Sequence, residues 1–292
     1  PASLDAARLH AGLFQILQGL AKKLLLADFL GSHVVDPAFA NQASLAALDA
    51  PGVALVALAY MLQLYGDFAG YSDVAIGSAR LLGFDLPRNF DAPYLATSLE
   101  SFWSRWHMTL TSWFRDYVFV PLRRRGGVLG SVALARVITF LLVGLWHGAA
   151  WTFVLWGALH GVALAVRRLL RGPNAHAPLY GWPRRALGVL ATFSFVSASA
   201  LLFRSSSVSD WWLVLSRLGT WDGSLPHVSG PVGLVLMAGV VTHGLPRSWV
   251  DCVEQAWTRA PLMTRLVTGV VALVCFYGPS TAQSQPFIYF RF

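Results

Sequence analysis

Two histidines in aromatic surroundings are the residues of this chain best suited to chemistry. His147 lies in residues 146–161, WHGAAWTFVLWGALHG, and His107 lies in residues 102–107, FWSRWH. An ionisable side chain within an apolar segment indicates a functional site, because little water is available there to solvate its charge. Desolvation favours the neutral imidazole, which can accept a proton from a hydroxyl group. We therefore predict that His147 is a base beside a narrow, aromatic-walled tunnel, with an inert, hydrogen-bonded core histidine as the alternative. His107 either assists His147 or has only a structural role.

Other polar residues in apolar segments are weaker candidates. His160 follows His147 by 13 residues, so in one continuous helix it would lie about 220° around the axis, whereas Trp151 would share the face of His147. We expect His160 to be structural. Asp67 and Asp73 have two interpretations, a proton or ion relay and a structural role as helix caps or partners of Arg80, and we favour the structural role.

The cysteines and the motif inventory exclude several chemistries. Cys252 and Cys275 form no closely spaced pair, so we expect inert thiols and predict no metal site. The sequence contains no phosphate-binding loop and no dinucleotide-binding fingerprint. Neither Ser72 nor Thr109 has the setting of a hydrolase nucleophile.

The composition indicates an integral membrane protein. The chain has 292 residues, of which 55% are hydrophobic and 12% are charged, whereas soluble domains carry about 25% charged residues. The net charge is +8, and the arginines cluster in short loops. In a membrane protein this pattern is typical of topology signals and contacts with anionic lipid, so we predict no nucleic-acid partner.

The apolar pattern predicts an all-α, multi-pass protein whose hairpin carries His147. Residues 132–166 contain two apolar segments flanked by arginines, which places both ends in the cytoplasm and His147 deep in the hairpin or near its far end. Residues 52–84 are predicted to form two short helices joined by a polar kink, and residues 98–121 an interfacial or re-entrant helix. Counting further apolar runs, we predict roughly seven to eight membrane segments in all.

Long stretches of the chain resemble the membrane-bound O-acyltransferase family. The similarity runs from about Gly12 to the C-terminal FIYFRF and is carried by residues 67–122 with FWSRWH and by residues 145–161 with LWHGAAW. The branch it resembles most acetylates alginate and includes cellulose- and peptidoglycan-acetylating homologues, and the teichoic-acid D-alanyl transfer proteins are more distant. The resemblance implies that His147 is the central catalytic histidine and that His107 is the second functional histidine.

The resemblance also implies a fold and a topology of transfer. It implies a ring of tilted and re-entrant helices around a central tunnel, in a single membrane domain over residues 1–292 that is the C-terminal portion of a longer protein whose first spans are absent. A cytoplasmic acyl thioester, such as acetyl-CoA, would meet an extracytoplasmic acceptor across the bacterial inner membrane. No cofactor would be tightly bound, and periplasmic acetyltransferase partner proteins and a polysaccharide acceptor would complete the reaction.

The site prediction extends to the aromatic and basic neighbours of both histidines. These predicted substrate-binding residues are Trp103, Arg105, Trp106, Trp146 and Trp151. Two alternatives to an acyltransferase remain at this point, a non-enzymatic transporter that depends on Asp67 and Asp73, and a scaffold of a polysaccharide export complex.

Overall fold

The computed structural model describes residues 5–128, 130–171 and 181–283. Within these residues the secondary structure is helical and contains no strand, which confirms the predicted all-α class. The helices in chain order are α1 (Ala6–Ala21), α2 (Asp36–Ala38), α3 (Gln42–Ala46), α4 (Ala50–Leu81), α5 (Leu99–Trp103), α6 (Met108–Phe114), α7 (Val120–Arg124), α8 (Val132–His147), α9 (Trp151–Arg171), α10 (Trp182–Arg204), α11 (Val208–Ser216), α12 (Gly230–Gly244), α13 (Arg247–Arg259) and α14 (Leu262–Gln283). Shorter π-helical and 3₁₀ turns lie between some of them.

Three of the described helices are long and apolar enough to cross a membrane, namely α4, α9 and the helix α10. The 32 residues of α4 rise about 48 Å, which exceeds the ~30 Å hydrocarbon core of a bilayer. Shorter apolar helices occur at α8, α12 and the first part of α14. The count of seven to eight membrane segments stays a prediction.

The described residues group into two compact units. Of the described residues, 5–40, 54–88 and 224–283 form the first unit, and 41–53, 89–128, 130–171 and 181–223 form the second. The first unit therefore holds α1, most of α4 and the helices α12 to α14. The second unit holds α5 to α11 and with them both predicted catalytic histidines. The single membrane domain over residues 1–292 stays a prediction.

Glycines allow α1 and α4 to pack backbone against backbone in the first unit. A Cβ atom at Gly19 would lie 2.6 Å from the carbonyl oxygen of Gly70, and one at Gly77 would lie 2.7 Å from the carbonyl oxygen of Gly12. Within a membrane, where no hydrophobic effect drives helix association, small residues allow two helices to approach closely. These glycines therefore fix the position of α4 against α1.

The predicted polar kink in residues 52–84 is wrong, because α4 is one continuous helix. The carboxylates that suggested a break are paired from outside the helix: Asp73 accepts from Lys22 at 2.5 Å and Asp67 accepts from Lys23 at 2.7 Å. Their predicted alternative partner, Arg80, instead pairs with Glu254 at 3.3 Å. Ion pairing removes the reason for the helix to break, since the buried charges are satisfied without freeing backbone groups.

The second unit is built around the hairpin of α8 and α9, as the sequence predicted. Ser131 caps α8 by accepting from the backbone N–H of Leu134 at 3.2 Å. A Cβ atom at Gly144 would overlap the carbonyl oxygen of Phe153, and one at Gly157 would overlap that of Phe140. The two helices therefore touch through their backbones, and α10 packs against α9.

The interfacial helix predicted for residues 98–121 is broken into pieces. Helices α5 and α6 are separated by a turn at residues 104–107, and a π-helical segment, Arg115–Phe119, precedes α7. The break occurs at His107, whose φ of +42° is left-handed and cannot continue a right-handed helix. This interruption gives His107 its position in the second unit.

Candidate active site

A connector before α5 holds the turn that carries His107. The backbone N–H of Met108 donates to the carbonyl oxygen of Asn89 at 3.0 Å, and the N–H of Asp91 donates to the carbonyl oxygen of Arg105 at 3.0 Å. Two backbone hydrogen bonds therefore tie residues 89–91 to both sides of His107. The turn is fixed by main-chain pairing as well as by side chains.

The side chain of Asn89 determines which ring nitrogen of His107 carries the proton. The Asn89 Oδ1 atom accepts from the backbone N–H of Thr109 at 3.2 Å, which identifies that atom as oxygen because a backbone N–H can only donate. The Nδ1 atom of His107 lies 3.0 Å from the same oxygen and must therefore donate to it. In the neutral ring Nε2 is then the basic nitrogen, which can accept a proton.

His107 combines a strained backbone with a neutral ring. A left-handed conformation at a residue other than glycine costs about 1–3 kcal/mol and is found mostly at functional sites. Burial, assisted by the nearby His147, lowers the pKa of His107 to about 3. The imidazole is therefore neutral at physiological pH, which is the state that a proton acceptor requires.

His147 ends α8 and lies in an aromatic cage. Its ring centroid is 5.0 Å from that of Trp146, 5.4 Å from that of Trp156 in α9 and 5.0 Å from that of Phe203 in α10. The Trp156 and Phe203 rings stand nearly perpendicular to the imidazole, at 90° and 82°. The cage is built by three different helices. Because α8 ends at His147, the residue lies at the far end of the hairpin, which is one of the two predicted positions.

Trp146 brings the two histidine motifs together. Its ring centroid lies 6.4 Å from that of His107 and 5.0 Å from that of His147. Both imidazoles are half-buried, and Trp146 itself is 51% exposed. Two imidazoles from distant parts of the chain therefore lie beside the same accessible aromatic ring.

His160 is fully buried and hydrogen-bonded on both ring nitrogens. The indole Nε1–H of Trp103 donates to Nδ1 at 3.2 Å, so Nε2 carries the hydrogen and donates to the Ser199 hydroxyl at 2.9 Å. That hydroxyl donates in turn to the carbonyl oxygen of Val196 at 2.9 Å. These contacts support the predicted structural role, because the chain of donors and acceptors is complete.

His147, Trp151 and His160 do not lie on one helix, because the chain reverses direction after His147. Residues 148–150 are not helical, so His147, Trp151 and His160 do not belong to one continuous helix. Trp151 begins α9 and is 79% exposed, while Trp156 packs against both His147 and His160. Gly148, Ala149 and Ala150 separate the two helices of the predicted hairpin, so the prediction that Trp151 shares the helical face of His147 is wrong.

The residues predicted to bind substrate occupy different environments. Trp103 is buried and holds His160, and Trp106 stacks on Phe102 with ring centroids 5.7 Å apart. Trp146 and Trp151 are accessible. The Arg105 side chain donates to the carbonyl oxygen of Asp91 at 3.4 Å. Substrate contact by all five stays a prediction, and the accessible tryptophans are the better placed.

Sequence reasoning missed three residues that build the site. Asn89, Phe203 and Ser199 are absent from the predicted site residues. Only Asn89 offered a signal, as a polar side chain next to aromatic residues just before a functional motif. Cys252 and Cys275 are both exposed and unpaired with each other, and the part of the chain that the structure describes has no metal-binding group of three or more His, Cys, Asp or Glu side chains.

Sequence similarity identifies the class of protein to which this site belongs. The sequence profile of MBOAT, the membrane-bound O-acyltransferase family, matches residues 3–205, and the chain belongs to that family. The matched range contains α8 to α10 and both histidines of the site. The chain is therefore a membrane protein of an acyltransferase family, as the residues 67–122 and 145–161 predicted.

Particular relatives carry names that include three acceptor polymers. The chain is 38% identical over 216 residues to the probable alginate O-acetylase AlgI of Azotobacter vinelandii, covering 72% of this chain and 41% of that protein. It is 36% identical over 229 residues to the peptidoglycan O-acetyltransferase of Helicobacter pylori, covering 77% and 42%. It is 33% identical over 218 residues to the teichoic acid D-alanyltransferase of Streptococcus thermophilus, covering 68% and 52%. The chain thus spans about two-fifths to half of the length of these relatives.

Proposed function

We propose that this chain contains the catalytic centre of a membrane O-acyltransferase, with His147 as the catalytic residue. The observation that carries the proposal is the meeting of His107 and His147 at the ring of Trp146. Two neutral imidazoles beside an accessible apolar surface can bind an acyl group and take a proton from a hydroxyl. The donor is a cytoplasmic acyl thioester, with acetyl-CoA as the first candidate.

The reaction balances without any resident cofactor. The neutral His147 accepts the proton of an acceptor hydroxyl while the hydroxyl oxygen attacks the thioester carbonyl carbon. The C–S bond breaks as the C–O bond forms, and the proton passes from the imidazolium to the leaving thiolate. An acyl-imidazole route, in which His147 attacks first, gives the same products. His107, held by Asn89, orients or polarises the donor or the acceptor.

The acceptor proposed for the complete protein is a hydroxyl group of an exported polysaccharide. Alginate, peptidoglycan and teichoic acid appear in the names of the relatives, so the acceptor varies, and the acyl group varies between acetyl and D-alanyl. Alginate is the first candidate because several relatives are named for it. Periplasmic acetyltransferase proteins would complete the transfer, and the inner membrane of a bacterium is the proposed location.

A transporter that depends on Asp67 and Asp73 is the less favoured function. Asp73 forms an ion pair with Lys22, and Asp67 forms one with Lys23. These ion pairs are expected if both carboxylates have a structural role. If substrate crossed unmodified, no acyl group would appear on the acceptor. An assay for labelled acetyl on exported polymer therefore distinguishes the two functions.

The test is the substitution His147→Ala in cells that carry the complete protein. General base catalysis is worth about 10²–10⁴-fold, so we expect O-acetyl on the polymer to fall by at least about a hundredfold while the protein remains inserted at normal levels. His33→Ala, at an exposed histidine of the first unit, is the matched control and should retain activity. Wild-type acetylation with His147→Ala would contradict the assignment.

A further inference from the structure

An apolar groove runs along the outer face of α9 and α10 in the second unit. It has a volume of about 640 Å³ and is lined by aliphatic residues of α9 from Ala158 to Leu170, with Phe195 and Ala191 on the α10 side. This volume lies within the ~300–1,000 Å³ typical of small-molecule sites. Arg167 is the charged residue of the lining and lies toward the Leu170 end of the groove. The site is separate from the cage around His147.

The end at Arg167 carries excess positive charge. The buried carboxylate of Glu100 forms an ion pair with Arg167 at 2.6 Å and lies 3.6 Å from Arg136. Arg168 also acts electrostatically on Arg136. Among these four described side chains, three arginines and one glutamate sum to a formal charge of +2, which attracts an anion. Buried or half-buried charges of one sign favour a counter-ion strongly, because they are poorly screened by solvent.

The length of the groove matches one leaflet of a bilayer. Ala158 and Leu170 are twelve residues apart along α9, which corresponds to a rise of about 18 Å. Half of the ~30 Å hydrocarbon core is about 15 Å. A single acyl chain could therefore lie along the groove from the arginine end toward the centre of the bilayer, with its headgroup at Arg167.

We propose that this groove binds an anionic phospholipid. One acyl chain lies against α9 and α10, and the phosphate contacts Arg167 and Arg168. The arginines that flank α9 place this end in the cytoplasmic leaflet by the positive-inside rule, where anionic lipids and basic pockets between helices meet. The site holds a structural lipid and is independent of acyl transfer at His147.

The direct test measures lipid bound to the purified full chain by native mass spectrometry. Phosphatidylglycerol and phosphatidylcholine with identical acyl chains are added at equal concentrations. Each arginine near a membrane surface contributes about fivefold in affinity for an anionic lipid, so we expect at least about tenfold more bound phosphatidylglycerol. Equal binding of the two lipids would overturn the proposal.

Paired variants locate the site. Arg168→Gln should lower bound phosphatidylglycerol about fivefold, whereas Arg124→Gln, at the arginine that ends α7, should not. Ala163→Phe fills the groove and should remove the lipid, whereas Ala186→Phe, at an exposed position of α10 outside the groove, should leave it bound. Retention of the lipid by Ala163→Phe would sink the proposal. Displacement of the bound lipid by millimolar inorganic phosphate or coenzyme A would also contradict the proposal, because the site would then bind a free phosphate group.

Discussion

At the scale of single residues, identical side chains take opposite roles through their hydrogen bonds. Asn89 accepts from Nδ1 of His107, which leaves Nε2 as the basic nitrogen, whereas Trp103 donates to Nδ1 of His160, which places the hydrogen on Nε2. His160 then uses that hydrogen on Ser199. The first arrangement presents a proton acceptor beside Trp146, and the second completes a buried network. The histidine count alone could not separate them.

The protonation state of His107 should not contribute to the pH dependence of the acyl-transfer rate. Burial lowers the pKa of His107 to about 3, so its charge in the folded protein is the same at about pH 5.5 and about pH 8, although an ordinary histidine with a pKa of about 6.5 would change between them. We expect His107→Gln to reduce the rate by the same factor at both pH values. The measurement is labelled acetyl transfer in membrane vesicles.

The lowered pKa of His107 also affects the stability of the fold. Its effect has the opposite sign to that of a histidine whose charged form is stabilised by folding. Unfolded chains gain a proton at this position below about pH 6.5, while the folded protein does not until about pH 3. Stability therefore falls as the pH falls through this window. For the prediction on activity, the contradicting result is a change in the rate of acetyl transfer near pH 6.5 that is absent in His107→Gln. It would show that His107 titrates in this range and is not neutral throughout.

At the scale of elements, the α8–α9 hairpin positions the candidate catalytic residue His147. The glycines at positions 144 and 157 allow its two helices to meet through their backbones, and the non-helical residues 148–150 reverse the chain directly after His147. The hairpin thereby places Trp156 against the imidazole, nine residues further along the chain. Without the close approach of the helices, the aromatic cage would open.

Gly157→Ala should therefore disrupt the hairpin. The added Cβ atom would overlap the carbonyl oxygen of Phe140, which is backbone and cannot rotate away. We expect a large loss of folded protein, measured as monodisperse material in detergent and as thermal stability. Gly269→Ala in α14, where nothing lies within 4 Å of the added atom, is the control and should be neutral or slightly stabilising, since alanine favours a helix by about 1 kcal/mol. Equal stability of both variants would refute the backbone contact.

At the scale of the whole molecule, buried charge is concentrated in the first unit. Lys23 lies 2.7 Å from both Asp28 and Asp67, and all three side chains are at most 7% exposed. Lys22 and Asp73 form a neighbouring pair. A membrane protein with so few charged residues places several of them inside one unit, where they fasten α4 to the π-helical segment that follows α1, Lys22–Asp28.

Lys23→Met should destabilise the protein strongly. It leaves two buried carboxylates without their shared cation, and removing one partner of a buried ion pair costs about 3–5 kcal/mol. Arg247→Gln removes an exposed pair with Asp251 and should cost no more than about 0.5 kcal/mol. Thermal unfolding in detergent measures both. If Lys23→Met unfolds like the wild type but loses acyl transfer, the cluster has a functional role instead of a structural one.

Much of the fold could be predicted from local patterns. The apolar segments and the arginine clusters predicted the α8–α9 hairpin, with His147 deep in it or near its far end. The kink predicted in residues 52–84 was wrong because two aspartates in an apolar run look like a break until their lysine partners are known. Those partners lie more than forty residues away in sequence, at Lys22 and Lys23.

The sequence by itself determined the class of this protein and predicted two candidate catalytic residues. Composition required a membrane protein, and the motifs around His107 and His147 predicted the acyltransferase family, because both depend on residue type and short-range spacing. Only the tertiary structure decided which groups surround those histidines. Asn89, Phe203 and Ser199 act through contacts across tens of residues, and the proton positions on His107 and His160 depend on those contacts. Long-range packing sets such geometry, and a one-dimensional pattern does not encode it.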